Sequence, residues 1–272
     1  MSLAHVGRET VELLDRGWYE APSGARVSIA ASVGRAVEGT RLYRPEDYDA
    51  LEIVRRDGPP VAIEVTTETT AEAARRLVER EGVERVVALN FASAKNPGGG
   101  FLGGAKAQEE DLARVSGLYV CLLTQQAYYD ANRACGSLLY TDHLIYSPDV
   151  PFFRDERHAF LETPFHASIL TSPAPNAGEA SRRGEGDGVR STLERRAAQV
   201  LRVAAYEGHR VVVLGAWGCG VFRNDPRAVA DVFATLLTSA TFAGAFDRAV
   251  FPIYDRSAEK RTLQAFEERL RA

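Results

Sequence analysis

The chain has 272 residues, 45 % hydrophobic and 26 % charged, enough to bury a large core and ordinary for a soluble globular protein. A net charge of −4 argues against a broad basic surface for nucleic acid, and no apolar run is long enough to span a bilayer or form a secretory leader. The three cysteines, Cys121, Cys135 and Cys219, are odd in number and lack paired spacing, which suits a reducing compartment and offers no zinc site. The expectation is a cytoplasmic protein with no membrane partner and no direct DNA binding.

Residues 3–16 read as an amphipathic helix with Val6, Leu13 and Leu14 available to one face. Residues 27–31 and 36–43 read as two strands, and 45–56 as a helix opening on proline and acids. Gly58-Pro59-Pro60 then breaks the chain. Residues 1–58 are too few to stand alone, so they are expected as a helical and strand extension packed on a core of residues 59–272. From residue 60 strands and helices alternate, the mark of an α/β layered fold. A strand is expected at 61–65, a helix at 70–81 stopped by Gly82, a strand at 85–90, and helices at 108–114 and 118–132. Residues 137–165, rich in aromatics and prolines, suggest short strands and turns, and 166–171 another strand. Residues 177–190, rich in Gly, Glu, Arg and Ser, read as a mobile surface loop, with Arg182, Arg183 and Arg190 as solvated charges.

Two segments share one pattern: a helix stopped by glycine, a buried strand, then a glycine-rich loop. One strand is Val86-Val87-Ala88-Leu89, leading to Asn96-Pro97-Gly98-Gly99-Gly100; the other is Val211-Val212-Val213-Leu214, leading to Gly215-Ala216-Trp217-Gly218-Cys219-Gly220-Val221-Phe222, with Pro226 opening a helix. Loops at the carboxyl ends of buried strands lie where open α/β sheets bind ligands. Facing one crevice, their N–H groups could grip a diphosphate.

After the first loop a helix opens with Gln108-Glu109-Glu110. Acids there complement the helix dipole, and either helix capping or catalysis accounts for them. Gly98-x-Gly100-x-x-Gly103 formally matches a dinucleotide fingerprint, but its glycines begin eight residues after Asn90 and the helix opens on acids that repel a pyrophosphate. Neighbours on a helix point about 100° apart, so the two glutamates make poor opposing partners of the glycosidase kind. In glycoside chemistry one acts as acid while the other orients a sugar hydroxyl, and a diphosphate nearby would hold a proton on a carboxyl beside it. None of the five histidines is placed near Cys219, which reads as a small residue in a tight turn. Phe222 divides evenly between stacking on a sugar or base and core packing. Trp217 reads as core, and Tyr128-Tyr129 as a half-buried helix face.

Taken together, Asn90-Phe91-Ala92, Asn96-Pro97-Gly98-Gly99-Gly100, Gln108-Glu109-Glu110, the 215–222 loop, Ser172-Pro173-Ala174-Pro175-Asn176 and Phe251-Pro252-Ile253-Tyr254-Asp255-Arg256 resemble the bacterial-type poly(ADP-ribose) glycohydrolases. The likeness runs from about residue 60 to the C-terminus, and three glycines followed by QEE at this spacing is specific. The resemblance implies a three-layer α/β/α macrodomain-like fold on a mixed sheet. It further implies hydrolysis of ribose–ribose O-glycosidic bonds of poly(ADP-ribose) to ADP-ribose, without metal or cofactor, in reversal of ADP-ribosylation and the response to DNA damage. Carried over by position, Glu110 is the catalytic acid and Glu109 holds a ribose hydroxyl. Asn96, Gly98, Gly99, Gly100, Gln108, Gly215, Gly218, Cys219, Gly220, Val221 and Phe222 would contact ADP-ribose. Ser93 stands near where macrodomains carry an asparagine, so ribose contacts move to Asn96. Poly-ADP-ribosylated proteins are the implied partners, and a monomer is expected. The rivals are a non-catalytic ADP-ribose-binding module, which does not need Gln108-Glu109-Glu110, and a hydrolase of single ADP-ribose units on protein side chains. Residues 64–70 are the candidate adenine contacts by position.

Overall fold

The computed structural model describes residues 2–270. In chain order the elements are α1 (Leu3–Arg16), β1 (Trp18–Glu20), β2 (Arg26–Ser28), α2 (Ala30–Gly39), β3 (Arg41–Tyr43), β4 (Ala62–Thr66), α3 (Thr70–Arg75), β5 (Val86–Phe91), α4 (Gln108–Val115), α5 (Leu118–Leu123) and α6 (Gln126–Ala134). There follow β6 (Leu144–Arg154), β7 (Phe160–Ser172), α7 (Ala177–Arg182), α8 (Gly188–Tyr206), β8 (Val211–Val213), α9 (Pro226–Leu237), β9 (Arg248–Pro252) and α10 (Arg261–Leu270).

A seven-stranded mixed sheet runs in the order β3-β6-β7-β5-β8-β9-β4. The strands β7, β5, β8, β9 and β4 are mutually parallel, and β6 and β3 are antiparallel to their neighbours. Parallel central strands covered on both faces are apolar throughout, and β5 shows it. Its side chains alternate, so Val87 and Leu89 enter the core under α8, α9 and α10, while Val86 and Ala88 enter the core under α3, α4, α5 and α6. The carboxyl ends of all five parallel strands therefore share one edge. Among the described residues no helix is long and apolar enough to cross a membrane.

The N-terminal residues are tied into this body. Strand β3 pairs with β6 at the sheet edge. Helix α1, capped by the Ser2 hydroxyl, packs against the turn that precedes α4: a Cβ on Gly7 would stand 2.9 Å from the Phe101 carbonyl oxygen. The buried Thr10 hydroxyl donates to the Arg114 carbonyl at 2.8 Å.

Several local expectations differ. Residues 30–39 form α2, which takes 30–31 and 36–39 out of the two expected strands, because Val33, Ala36 and Val37 recur at helical spacing and pack inward. Only one 3₁₀ segment, Pro45–Ala50, replaces the helix expected over 45–56. The helix over 70–81 is α3 followed by a π turn, Arg76–Arg80. Residues 144–172 hold two long strands, whose prolines Pro148, Pro151 and Pro164 sit at or beside register shifts. The loop expected at 177–190 contains α7, capped by Asn176, and the start of α8. There Arg182 pairs with Glu179, and Arg190 bridges Glu194 and Asp231, both arginines staying solvent-exposed as expected but on helices. Tyr128 and Tyr129 are fully buried rather than half-buried.

Candidate active site

Strand β5 delivers Asn90 and Phe91 to the sheet edge, and the loop returns through a 3₁₀ turn, Phe101–Gly103, to α4. Glu110 lies in the first turn of α4. Its Oε1 accepts the Gly100 N–H at 2.9 Å and its Oε2 accepts the Ala107 N–H at 3.0 Å. One carboxylate thus caps its own helix and anchors the glycine loop. Gly99 explains the run of glycines. At φ +58°, a Cβ there would lie 2.3 Å from Glu110 Oε1 and 3.3 Å from Glu109 Oε2. The two side chains, which diverge at their Cα atoms, therefore converge on one glycine. They occupy the same wall as neighbours, not as an opposed pair.

Glu109 is 2 % exposed and accepts the Ser93 N–H at 2.6 Å and Asn90 Nδ2–H at 3.2 Å. Burial pushes its carboxyl up to about 8, against the pull of those hydrogen bonds. The raised value favours the neutral form of this buried carboxyl. Asn90 is itself buried and also donates to Thr171 Oγ1 at 3.2 Å. The motif contained Asn90, but its role as the holder of Glu109 was not foreseen. A lone amide closing an apolar buried strand was the available signal, since buried polar groups need partners.

Gln108 was expected to meet the ligand. Its amide is engaged by the protein: Oε1 accepts the Phe91 N–H at 2.8 Å, and Nε2 donates to the Leu89 carbonyl at 2.8 Å and Thr70 Oγ1 at 3.0 Å. It staples α4 to the end of β5 while lining the cleft. Gly98 and Gly215 lie further from the cleft surface. Both are buried outside the cleft lining, Gly98 against the rings of Phe101 and Tyr119, and Gly215 between the Phe91 ring and the Pro252 carbonyl.

The second loop follows β8, the parallel neighbour of β5. Trp217 anchors it from the core, donating Nε1–H to the Ser172 carbonyl at 3.0 Å. Gly218 is left-handed at φ +72°, and a Cβ there would fall 2.4 Å from Ala174 Cβ. Asn224, unremarked in the sequence, is buried and donates to the carbonyls of Gly218 at 3.1 Å and Pro175 at 2.9 Å. Burial pushes the Cys219 thiol up, which makes it a poor nucleophile. At Gly220 the space is open, with no atom within 4 Å of a Cβ, and Val221 is 79 % exposed. Phe222 is half-buried, its ring 5.8 Å from that of Tyr140.

One cleft of about 1190 Å³ is lined by Asn96, Gly99, Gly100, Gln108, Glu109, Glu110 and the 216–222 loop. It extends past Thr69, Thr70 and Tyr254. Asn96 is exposed at its rim, its carbonyl accepting the Gly99 N–H at 3.0 Å. A carboxyl held by two backbone amides, beside an open loop of further amides, can protonate a leaving oxygen next to a bound anion.

The microbial-type PARG catalytic-domain family matches residues 7–155, a span that holds Asn90, the glycine run and both glutamates. The chain belongs to this family. Membership brings the fold and enzyme classes expected from the motifs, a macrodomain-like mixed sheet and a poly(ADP-ribose) glycohydrolase. The poly(ADP-ribose) glycohydrolase of Thermomonospora curvata is similar at TM-score 0.94, with 49 % identity over 98 % of each chain. Its form bound to the inhibitor ADP-HPD matches at TM-score 0.92 with the same identity and coverage. The Deinococcus radiodurans enzyme in complex with ADP-ribose matches at TM-score 0.82 and 51 % identity, over 88 % of this chain and 96 % of that one. No curated protein matches the chain.

Proposed function

We propose that Glu110 is the general acid with which this poly(ADP-ribose) glycohydrolase cleaves ribose–ribose O-glycosidic bonds to release ADP-ribose. The observation that carries the assignment is the position of the Glu110 carboxyl, fixed at the cleft wall by the Gly100 and Ala107 amides, where a diphosphate bound nearby holds a proton on it. Glu110 gives its proton to the departing ribose oxygen as the bond to the anomeric carbon breaks, and that oxygen keeps the bonding electrons. Water adds to the oxocarbenium-like carbon, and its proton returns to Glu110. Glu109, fixed by Ser93 and Asn90, holds a hydroxyl of the reacting ribose. The amides of Gly218, Gly220, Val221 and Phe222 take the diphosphate, the Cys219 N–H being engaged by the Ala216 carbonyl at 3.1 Å, with Asn96 and Phe222 beside the ribose. Residues 1–58 serve as an extension supporting a catalytic core of 59–272. The protein acts as a cytoplasmic monomer on free poly(ADP-ribose) and on poly-ADP-ribosylated proteins.

The test is release of ADP-ribose from purified poly(ADP-ribose), wild type beside Glu110→Gln, with chelator present. Wild type releases product, and the variant binds ADP-ribose nearly normally but is slower by about 10²–10⁴-fold. Equal rates would sink the acid assignment. Binding of ADP-ribose without release by either protein would point to a binding module or to a hydrolase of single units.

A further inference from the structure

Beyond Glu110 the cleft continues along α4, where Leu3, Lys106, Asp111 and the hairpin tip residues Glu156, Arg157 and His158 line it. Its volume of about 1190 Å³ exceeds the roughly 300–1,000 Å³ of pockets that enclose one drug-sized molecule. A polymer supplies more than one unit to fill it. The unit that keeps the anomeric carbon belongs with the second glycine loop, so the unit whose oxygen departs lies on the other side of the Glu110 carboxylate. We propose that this far end is a subsite for the departing ADP-ribose unit, in which Lys106 and Arg157 bind its diphosphate. The inference rests on the glycohydrolase reading and assigns a second half to the same cleft.

The hairpin tip is unusually well fixed for a solvent-facing turn. Asp155 Oδ1 accepts the N–H groups of Arg157 at 2.9 Å and Ala159 at 2.8 Å, and His158 is left-handed at φ +66°. The buried Arg154 holds the tip from below, donating to the His158 carbonyl at 2.7 Å and to Glu9 at 2.6 Å, with its guanidinium 3.8 Å over the Phe160 ring. Such a turn keeps the Arg157 backbone in place while its side chain stays 87 % exposed, 3.8 Å from Glu156, its one ion-pair partner among the described residues. Lys106 directly precedes Ala107, whose amide holds Glu110, and among the described residues its side chain makes no hydrogen bond or ion pair. Two acids share this end. Asp111 is matched by the buried Arg114 at 2.9 Å, and Glu156 lies beside Arg157. Lys106 and Arg157 thus remain for an incoming dianion. The other cation lining the cleft, Arg256, follows β9 and bonds the Tyr254 hydroxyl.

The experiment compares two substrates: a dimer of ADP-ribose, and an ADP-ribose glycoside whose leaving group is an uncharged nitrophenol. Reversing both charges, Lys106→Glu with Arg157→Glu, lowers kcat/KM on the dimer about tenfold at low salt, mainly through KM, and the deficit shrinks as salt rises. The nitrophenyl substrate changes less than about twofold. Lys106→Ala, which only removes a charge, moves the dimer in the same direction by a smaller factor. Equal losses on both substrates, or none on the dimer, would overturn the subsite. A wild-type protein that cleaves neither substrate would overturn the glycohydrolase reading and the subsite with it, a result distinct from failure of the subsite alone.

Discussion

The two glycine loops leave neighbouring parallel strands at the same sheet edge, yet they are built for opposite tasks. In the first, the space beside Gly99 is already filled by the Glu110 and Glu109 carboxylates, so its glycine admits the protein's own acids. In the second, Trp217 and Asn224 fasten the loop from behind, and the tip at Gly220 and Val221 stands open. In the proposed mechanism one loop positions a proton, and the other offers backbone amides to an anion. The shared pattern of glycine, strand and glycine loop concealed that division.

Substitutions should separate the two tasks. Glu110→Gln has the largest effect, about 10²–10⁴-fold on turnover, with ADP-ribose affinity kept. Gly99→Ala comes next. Its methyl group must displace Glu110 Oε1 from a position 2.3 Å away, and misplacement of a catalytic group by about 1 Å costs on the order of 10²-fold in rate. Calorimetric titration with ADP-ribose should show nearly unchanged affinity for that variant; a large affinity loss without a rate defect would reverse the roles of the loops. Gly220→Ala shows the mirror image, weaker ADP-ribose binding by several-fold with Tm and kcat largely kept, because the added Cβ meets no protein atom.

The smallest effect is one of pH. Burial raises the folded Glu109 carboxyl from 4.5 to about 8, so the native state holds that proton more tightly than the unfolded chain does. Its contribution to stability is complete below the ordinary carboxyl value and drains away as pH rises through about 8. Glu109→Gln removes the ionisation, so its Tm relative to wild type should climb by a few degrees between pH 5 and pH 9. A flat difference across that range would place the raised carboxyl elsewhere.

The parallel strands and the two loops were legible because buried strands of valine and leucine ending in glycine carry a local signal. The edge they share follows directly from the pairing of β5 with β8. The β6–β7 hairpin was obscured by Pro148, Pro151 and Pro164, which interrupt the alternation that tertiary pairing and register shifts restore. The fate of Gln108 was hidden for a different reason. Nothing in QEE distinguishes an amide that meets ligand from one that closes the Phe91 N–H, the Leu89 carbonyl and the Thr70 hydroxyl, since those partners are fixed only when α4 docks on β5. At Gly98 and Gly215 likewise, sequence shows that glycine is required without showing the rings of Phe101, Tyr119 and Phe91 that pack against it.

Helix α1 has a practical consequence. Gly7 abuts the Phe101 carbonyl, Thr10 holds the Arg114 carbonyl, and Leu3 reaches the cleft itself. Helix α1 is thus the outer brace of a loop that lies some ninety residues further along the chain. A purification tag joined ahead of Leu3 is accordingly no inert handle: it hangs at the mouth of the reaction chamber, and kinetics taken with it in place report on the tag as well as the enzyme.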